Sequence, residues 1–448
     1  MFKTFRNALK IKDIRNKLLY TFAALVIVRL GCQLPIPGVN GDYIKSFFDT
    51  QFANGSAMNF FDAMTGGSFT QMSIFALNIT PYITSSIIMQ LLTIAIPKLE
   101  EMQKDGEDGR KKIAEYTRYV TVILAVIEGL AMAIGFGNRG LLENGIGFTS
   151  VTVIVVSLTA GSAFLMWLGE RITTKGVGNG ISIILLVNII SRLPQDLIKL
   201  YNQFIKGANV VNGIIAAAVI LFVILAMVVF IIVLNNGERR IPVQYAKKVQ
   251  GRKMVGGQSS HIPLKVNTAG VIPVIFAGSL LSFPIIISSF FGVNPASGAG
   301  TTLWQKILKV CNQNAWCNFS SFAEFKYTLG LLVYIVMVIF FAYFYTSITF
   351  NPIEVSNNMK KQGGFVPGIR PGKPTTDYLT KVLNNIIFIG AIGLTIVAVV
   401  PIFFSGAFDA SVSFSGTSLI IIVGVVLETM KQIESQMLVR HYKGFLND

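Results

Sequence analysis

A chain of 448 residues could hold two or three soluble domains, but 52% of this one is hydrophobic and only 13% is charged, about half the charged share of a soluble protein. With a mean hydropathy of +0.61 and its apolar residues gathered in blocks, it is not an ordinary soluble fold. The net charge of +16 points by itself to an anionic partner, so where the cations lie decides what they mean.

The blocks are read in chain order against the roughly 20 apolar residues that a helix needs to cross a bilayer. Residues 1–34 have a basic start and an apolar stretch, but no small-residue cleavage site, and they end in QLPIPG. They read as a retained first span, Leu18–Leu34, with Arg29 inside it and able to snorkel to an interface. Ala57–Gln71 (AMNFFDAMTGGSFTQ) is amphiphilic and broken by Gly66-Gly67. It fits an outward re-entrant turn, or a half-helix hinged at the glycines that packs into the protein and can move out.

Met72–Ile96, Val120–Phe136 and Val151–Leu168 are the second to fourth spans, with Glu128 near the middle of the third. TTKGVGNGIS follows a helix rather than a strand, so it reads as a tight connection and not as a phosphate loop. The fifth span, from Gly180, is the weakest, because Arg192 and Asp196 interrupt it after ten apolar residues. Gly213–Leu234, Val271–Phe291, Leu329–Thr349, Ile386–Phe404 and Ser418–Leu427 complete ten spans. Between the seventh and eighth, CNQNAWC places Cys311 and Cys317 in the loop 292–326. If that loop is extracytoplasmic, a short disulfide and two unpaired thiols are both open.

With a cytoplasmic N-terminus, the inward segments 1–17, 97–118, 170–178, 235–267, 351–381 and 428–448 hold 29 of the 38 Lys and Arg. Cations near span ends stay on the cytoplasmic side, so both termini are expected inside and the chain in the cytoplasmic membrane. Topology and anionic lipid account for most of these charges. The loops 235–267 and 351–381 are nevertheless larger than a turn needs, and they suggest a docking platform for a cytoplasmic partner.

No catalytic set appears: there is no G-x-S-x-G, no phosphate loop and no paired His and carboxylate. Two histidines and three cysteines, none of them clustered, leave no metal centre and no cofactor to expect. Ionisable residues within spans are few, chiefly Arg29 and Glu128, which is thin support for an ion-coupled carrier.

The motifs SIFALNITPYITSSIIMQLL (Ser73–Leu92), EYTRY (Glu115–Tyr119), FLMWLGERIT (Phe164–Thr173) and GVGNGISII (Gly176–Ile184) occur in that order. ERRIPVQYAKK (Glu238–Lys248), SHIPLKVNTAGVIPVIFA (Ser260–Ala277), NPIEVSNNMKKQGGFVPGIRPG (Asn351–Gly372) and GTSLIII (Gly416–Ile422) follow. Together they resemble the SecY family of protein-conducting channels, end to end and in its bacterial wording. The resemblance implies an all-α polytopic membrane protein of ten transmembrane helices in two inverted pseudo-symmetric halves, 1–200 and 201–448.

It further implies a non-enzymatic channel that passes unfolded secretory polypeptides and releases membrane segments sideways into lipid. Carried over by motif, the pore ring is Ile79, Ile83, Ile181, Leu185, Ile275 and Ile421. Leu185 departs from an all-isoleucine ring with little change in volume. Phe61, Met64, Gly66 and Gly67 fall in the family's plug, which spans about 57–71. Thr84, Glu128 and Phe283 fall at its lateral gate. Arg240, Arg252, Lys253 and Arg370 fall in the loops that dock the SecA ATPase and the ribosome. The implied partners are SecE and SecG subunits, SecA, the ribosome, signal peptides, nascent polypeptides and membrane lipids. The competing reading is a secondary carrier of a small solute, which calls for a polar midplane site on broken helices; this chain offers mainly aliphatic residues there.

Overall fold

The structure, a computed structural model, describes residues 6, 9–39, 44, 62, 65–137, 140, 142, 145, 147–205, 210–245, 248–250, 253–255, 259–290, 303–312, 316–317, 326–408 and 416–444. Each of the ten predicted apolar segments overlaps a helix. These are α1 (Lys12–Gly31), α2 (Thr80–Ala95, followed by the amphipathic α3, Pro97–Lys104), α4 (Glu107–Gly137), α5 (Phe148–Lys175) and α6 (Gly180–Leu200). After α7 (Val210–Asn236) come strands β1 (Glu238–Tyr245), β2 (Lys248–Gln250), β3 (Lys253–Val255) and β4 (Ser259–Lys265). Then follow α8 (Ile272–Phe290), α9 (Leu303–Cys311), α10 (Leu329–Thr349), α11 (Pro352–Lys361), β5 (Gly364–Phe365), α12 (Lys373–Phe408) and α13 (Gly416–Gly444).

Six of the described helical stretches are long and apolar enough to cross a membrane: Glu107–Gly137, Phe148–Lys175, Gly180–Gln203, Ala217–Asn236, Leu329–Lys361 and Lys373–Phe403. The pair α2–α3, bent by 106° at its break, makes a seventh if counted as one span. α8 offers a shorter apolar run, Ile272–Leu281. α1 and α13 mix their apolar turns with charged ones. The outward faces of the long helices are apolar, with Phe222, Val233, Leu332 and Phe340 exposed. A soluble surface does not tolerate continuous apolar faces of this kind, but a hydrocarbon solvent does.

The second span starts later than the sequence suggests. Met72 and Asn78 sit at φ 44° and 51°, outside the helical region, and α2 begins only at Thr80 with a proline in its first turn. Residues 66–79 run as successive turns instead. They are tied to the end of the first span by Ile36 N–H donating to the Met72 carbonyl at 3.0 Å and Ile74 N–H to Leu34 at 2.9 Å. The Gly-rich stretch is the tight connection expected of it: Asn179 caps α6, and its side-chain oxygen accepts from Ile181 and Ser182 N–H. A Cβ at Gly180 would stand 2.0 Å from the Gly169 carbonyl, so only glycine lets α6 fold back this closely on α5.

Three larger apolar cores lie among the described helices. One joins α7, α8, α10, α12 and α13 around Ile231, Val274, Trp316, Val338 and Val397. A second packs Ile36, Ile44 and the turns at 72–77 against α4 and α5. The third brings α1, α5, α6, α8 and α13 together.

The membrane part is helical, but the two basic loops are not simple connections. They fold into one small domain. β1 pairs antiparallel with β4, from Glu238 with Lys265 to Gln244 with Ser259. Its end, Gln244 and Tyr245, also pairs with β5 at Phe365 and Gly364. Ile241, Val243 and Leu264 from the first loop, with Met359, Val366 and Leu379 from the second, form its core. Cys32, Cys311 and Cys317 are free thiols.

Candidate functional site

The structure brings most of the predicted ring residues together. Ile79, in the turn before α2, and Ile421 of α13 are buried in the third apolar core, and Ile83 of α2, Ile181 of α6 and Ile275 of α8 pack against it half-buried. Five of the six residues thus converge from four different helices and one helix entry. Leu185, one turn beyond Ile181 on α6, is buried as well but is not a member of that core. The convergence has a local cause at two corners. Pro81 fixes the entry to α2 with Ile79 at its N-cap, and the Asn179 cap sets where α6 starts relative to Ile181.

Of the predicted plug residues, Phe61 and Met64 lie outside the described residues, while Gly66 and Gly67 hold φ 68° and 88°. A dense polar network surrounds them. The Gly66 carbonyl accepts from Arg29 Nη1 at 3.4 Å and from Ser191 Oγ at 3.5 Å. Arg29 therefore turns inward to this segment and does not snorkel to an interface. Asp62, fully buried, forms an ion pair with Arg192 of α6. Asn188 of α6 donates to Asn78 Oδ1 at 3.1 Å, and Ser162 of α5 donates to the Asn78 carbonyl at 3.1 Å. A Cβ at Gly66 would meet Arg29 Nη1, the Asn188 carbonyl and Ser191 Oγ, each at 2.9 Å.

At the predicted gate, Thr84 donates back to the Thr80 carbonyl at 3.1 Å within α2. The next residue, Ser85, shares a buried hydrogen bond of 2.5 Å with Thr121 of α4. α4 packs on α2, α5 and α8, and Glu128 is half-buried along it. Phe283 lies in α8, and its side chain is outside the described residues. One turn before Thr121 on α4, Arg118 Nε donates to Glu170 Oε1 of α5 at 2.8 Å.

Three of the four predicted docking cations lie in the described parts of the two basic loops. Arg240 projects from β1 beside Glu238 at 3.6 Å, Lys253 lies in the β2–β3 hairpin, and Arg252 is outside the described residues. Arg370 is exposed on the turn before α12. That turn is firmly built: Thr375 Oγ1 donates to the Arg370 carbonyl at 2.7 Å, and Ser356 of α11 donates to the Gly372 carbonyl at 3.1 Å. Among the described residues, no group of three or more His, Cys, Asp or Glu could hold a metal ion.

Sequence reasoning passed over Asp62 and took Arg192 only as the end of an apolar run. A lone acid inside FFDAM and a lone base inside a span are each unremarkable. Only their pairing, far apart along the chain, gives either a role.

A family model described as SecY matches residues 73–430. The protein translocase subunit SecY of Halalkalibacterium halodurans is 43% identical over 460 residues, covering 100% of both chains. A solved SecY structure, whose plug domain is described as stabilising the closed state of the translocation channel and maintaining a membrane seal, matches with a TM-score of 0.61 at 18% identity, over 95% of this chain and 92% of that one. Sec61 in a canine ribosome-channel complex from the endoplasmic reticulum matches with a TM-score of 0.58 at 17% identity, over 95% and 93%.

Proposed function

The chain belongs to the SecY family, and from that premise we propose how its own residues carry out the family's work. It is a multi-pass membrane protein and a non-enzymatic, protein-conducting translocation channel. Ile79, Ile83, Ile181, Leu185, Ile275 and Ile421 form the constriction through which an unfolded polypeptide passes. The observation that carries this reading is the convergence of five of them, from four helices, on one apolar core. A collar of aliphatic side chains recognises no sequence, resists wetting when empty, and widens by small rotamer and helix shifts.

The segment around Gly66 and Gly67 acts as the plug, with Phe61 and Met64 on it. α2 and α4 part from α8 at the lateral gate, where Thr84, Glu128 and Phe283 lie. The bonded Ser85–Thr121 pair supports α2 and α4 moving as one side of that gate. The halves 1–200 and 201–448 are the two sides of the channel. The chain sits in the cytoplasmic membrane with both termini and the small sheet domain inside.

That domain docks the driving partner. Arg240, Arg252, Lys253 and Arg370 offer cations, exposed at Arg240 and Arg370, that suit SecA or the phosphates of ribosomal RNA without reading sequence. The likeness to a ribosome-bound channel supports the second. SecE and SecG subunits, signal peptides, nascent chains and membrane lipids complete the partners.

The test is reconstitution. Purified protein in liposomes with a SecE-like subunit, SecA and ATP protects a secretory precursor from added protease. Arg370→Glu abolishes that protection and leaves the folded protein intact by thermal unfolding. Absence of protection with the wild type would overturn the channel reading, whereas full protection with Arg370→Glu would overturn only the docking assignment.

A further inference from the structure

Two helices grip the segment before the second span with charges. Asp62 is fully buried and pairs with Arg192 of α6, itself nearly buried. The other carboxylate oxygen, Oδ1, accepts from the Thr70 N–H at 3.1 Å, and the Asp62 carbonyl accepts from Gly67 N–H at 3.1 Å and Thr65 Oγ1 at 3.2 Å. Arg192 also donates to Gln195 at 3.0 Å, which holds its guanidinium on α6. From the other side, Arg29 of α1 and Ser191 of α6 both donate to the Gly66 carbonyl. Asp62 is thereby tied to Thr65, Gly67 and Thr70, and this segment is pinned from α1 and α6 at once.

We propose that Asp62 and Arg192 form a charge latch that holds this segment shut and that water releases. The proposal rests on the reading of the segment as a plug and deepens it. While the pair is buried, parting it strands two charges in surroundings that solvate neither, so the closed state resists partial opening. Once a hydrated polypeptide and its water reach the pair, the same separation costs little, because the attraction in water is weak. Packing alone loosens gradually. A buried ion pair that hydration weakens makes opening depend on an occupied channel. Arg29 contributes through the Gly66 backbone carbonyl, a contact that the absence of a side chain at Gly66 leaves room for.

The latch is tested with Asp62→Asn, Arg192→Gln and the double variant, reconstituted in liposomes with no driving partner. Two quantities are read: amide hydrogen exchange of the peptide covering 62–73, and resting leak of a small anion. We expect each single variant to speed exchange and raise leak by at least about tenfold. The double variant is expected to go no further than the worse single, because both act on one contact. Arg192→Lys, which keeps the charge, recovers most of the protection. Exchange unchanged in both single variants overturns the latch, whether or not the protein conducts polypeptide. Exchange accelerated with leak unchanged overturns its role in closure. Precursor protection by the wild type is scored separately, so loss of the channel reading is not confused with loss of the latch.

Discussion

Single residues show what the membrane setting demands. Trp316 is fully buried, donates from Nε1 to the Val310 carbonyl at 2.7 Å, and packs its ring 5.7 Å from Tyr334. Trp316→Ala should cost about 3–5 kcal/mol and lower the unfolding temperature in detergent clearly, whereas Trp316→Phe keeps the packing and loses about 1 kcal/mol with the hydrogen bond. Cys311 and Cys317 stay reduced, and burial raises the pKa of both thiols above its usual value. Since the thiolate is the nucleophile, maleimide labelling of both should be slow at neutral pH and keep rising as pH passes 9; a plateau reached below pH 9 would contradict that. The proposed ring residues are singled out only by the wording of whole motifs, since an isoleucine on an apolar helix is by itself ordinary packing. Asp62 and Arg192 were not legible at all, because an ion pair between distant segments leaves no local pattern.

Among elements, the helices of the membrane part were the most legible, since a long apolar run has few alternatives in lipid. The start of α2 was not. Mostly apolar residues run from Met72, and the backbone stays out of the helix up to Ile79 because Asn78 at positive φ anchors a buried network to Ser162 and Asn188. The small domain was missed for a different reason. Each loop reads alone as basic and irregular, although RRIPVQY alternates, with Ile241 and Val243 buried between exposed neighbours. Its sheet needs β5 from the second loop, and no single stretch announces a strand of two residues. Asn351 caps α11 by accepting from Ile353 and Glu354 N–H at 3.1 and 3.4 Å. Asn351→Ala should cost about 1 kcal/mol and show as faster hydrogen exchange across 352–361, with the membrane helices unchanged. Asn179→Ala removes the corresponding cap of α6, and its effect should appear beside Ile181 as a raised resting leak.

For the whole molecule, the aliphatic collar makes the sharpest claim. Replacing Ile83 and Ile275 together with Gly opens space at a core shared by α1, α5, α6, α8 and α13; ion conductance across planar bilayers should rise severalfold without added partner, and unchanged conductance would count against the constriction. One further feature carries a mechanical consequence. α12 runs 36 residues, Lys373–Phe408, or about 54 Å at the helical rise, against a hydrocarbon layer of about 30 Å. Its first turns sit in the small domain through Leu379 and Ile386, and its later turns sit in the largest membrane core through Leu394, Val397 and Ile402. The Arg370 turn is clamped to its near end by Thr375. A load applied by a motor at that turn therefore has a stiff lever to act on, and the torque is delivered to the far leaflet without any loop having to refold.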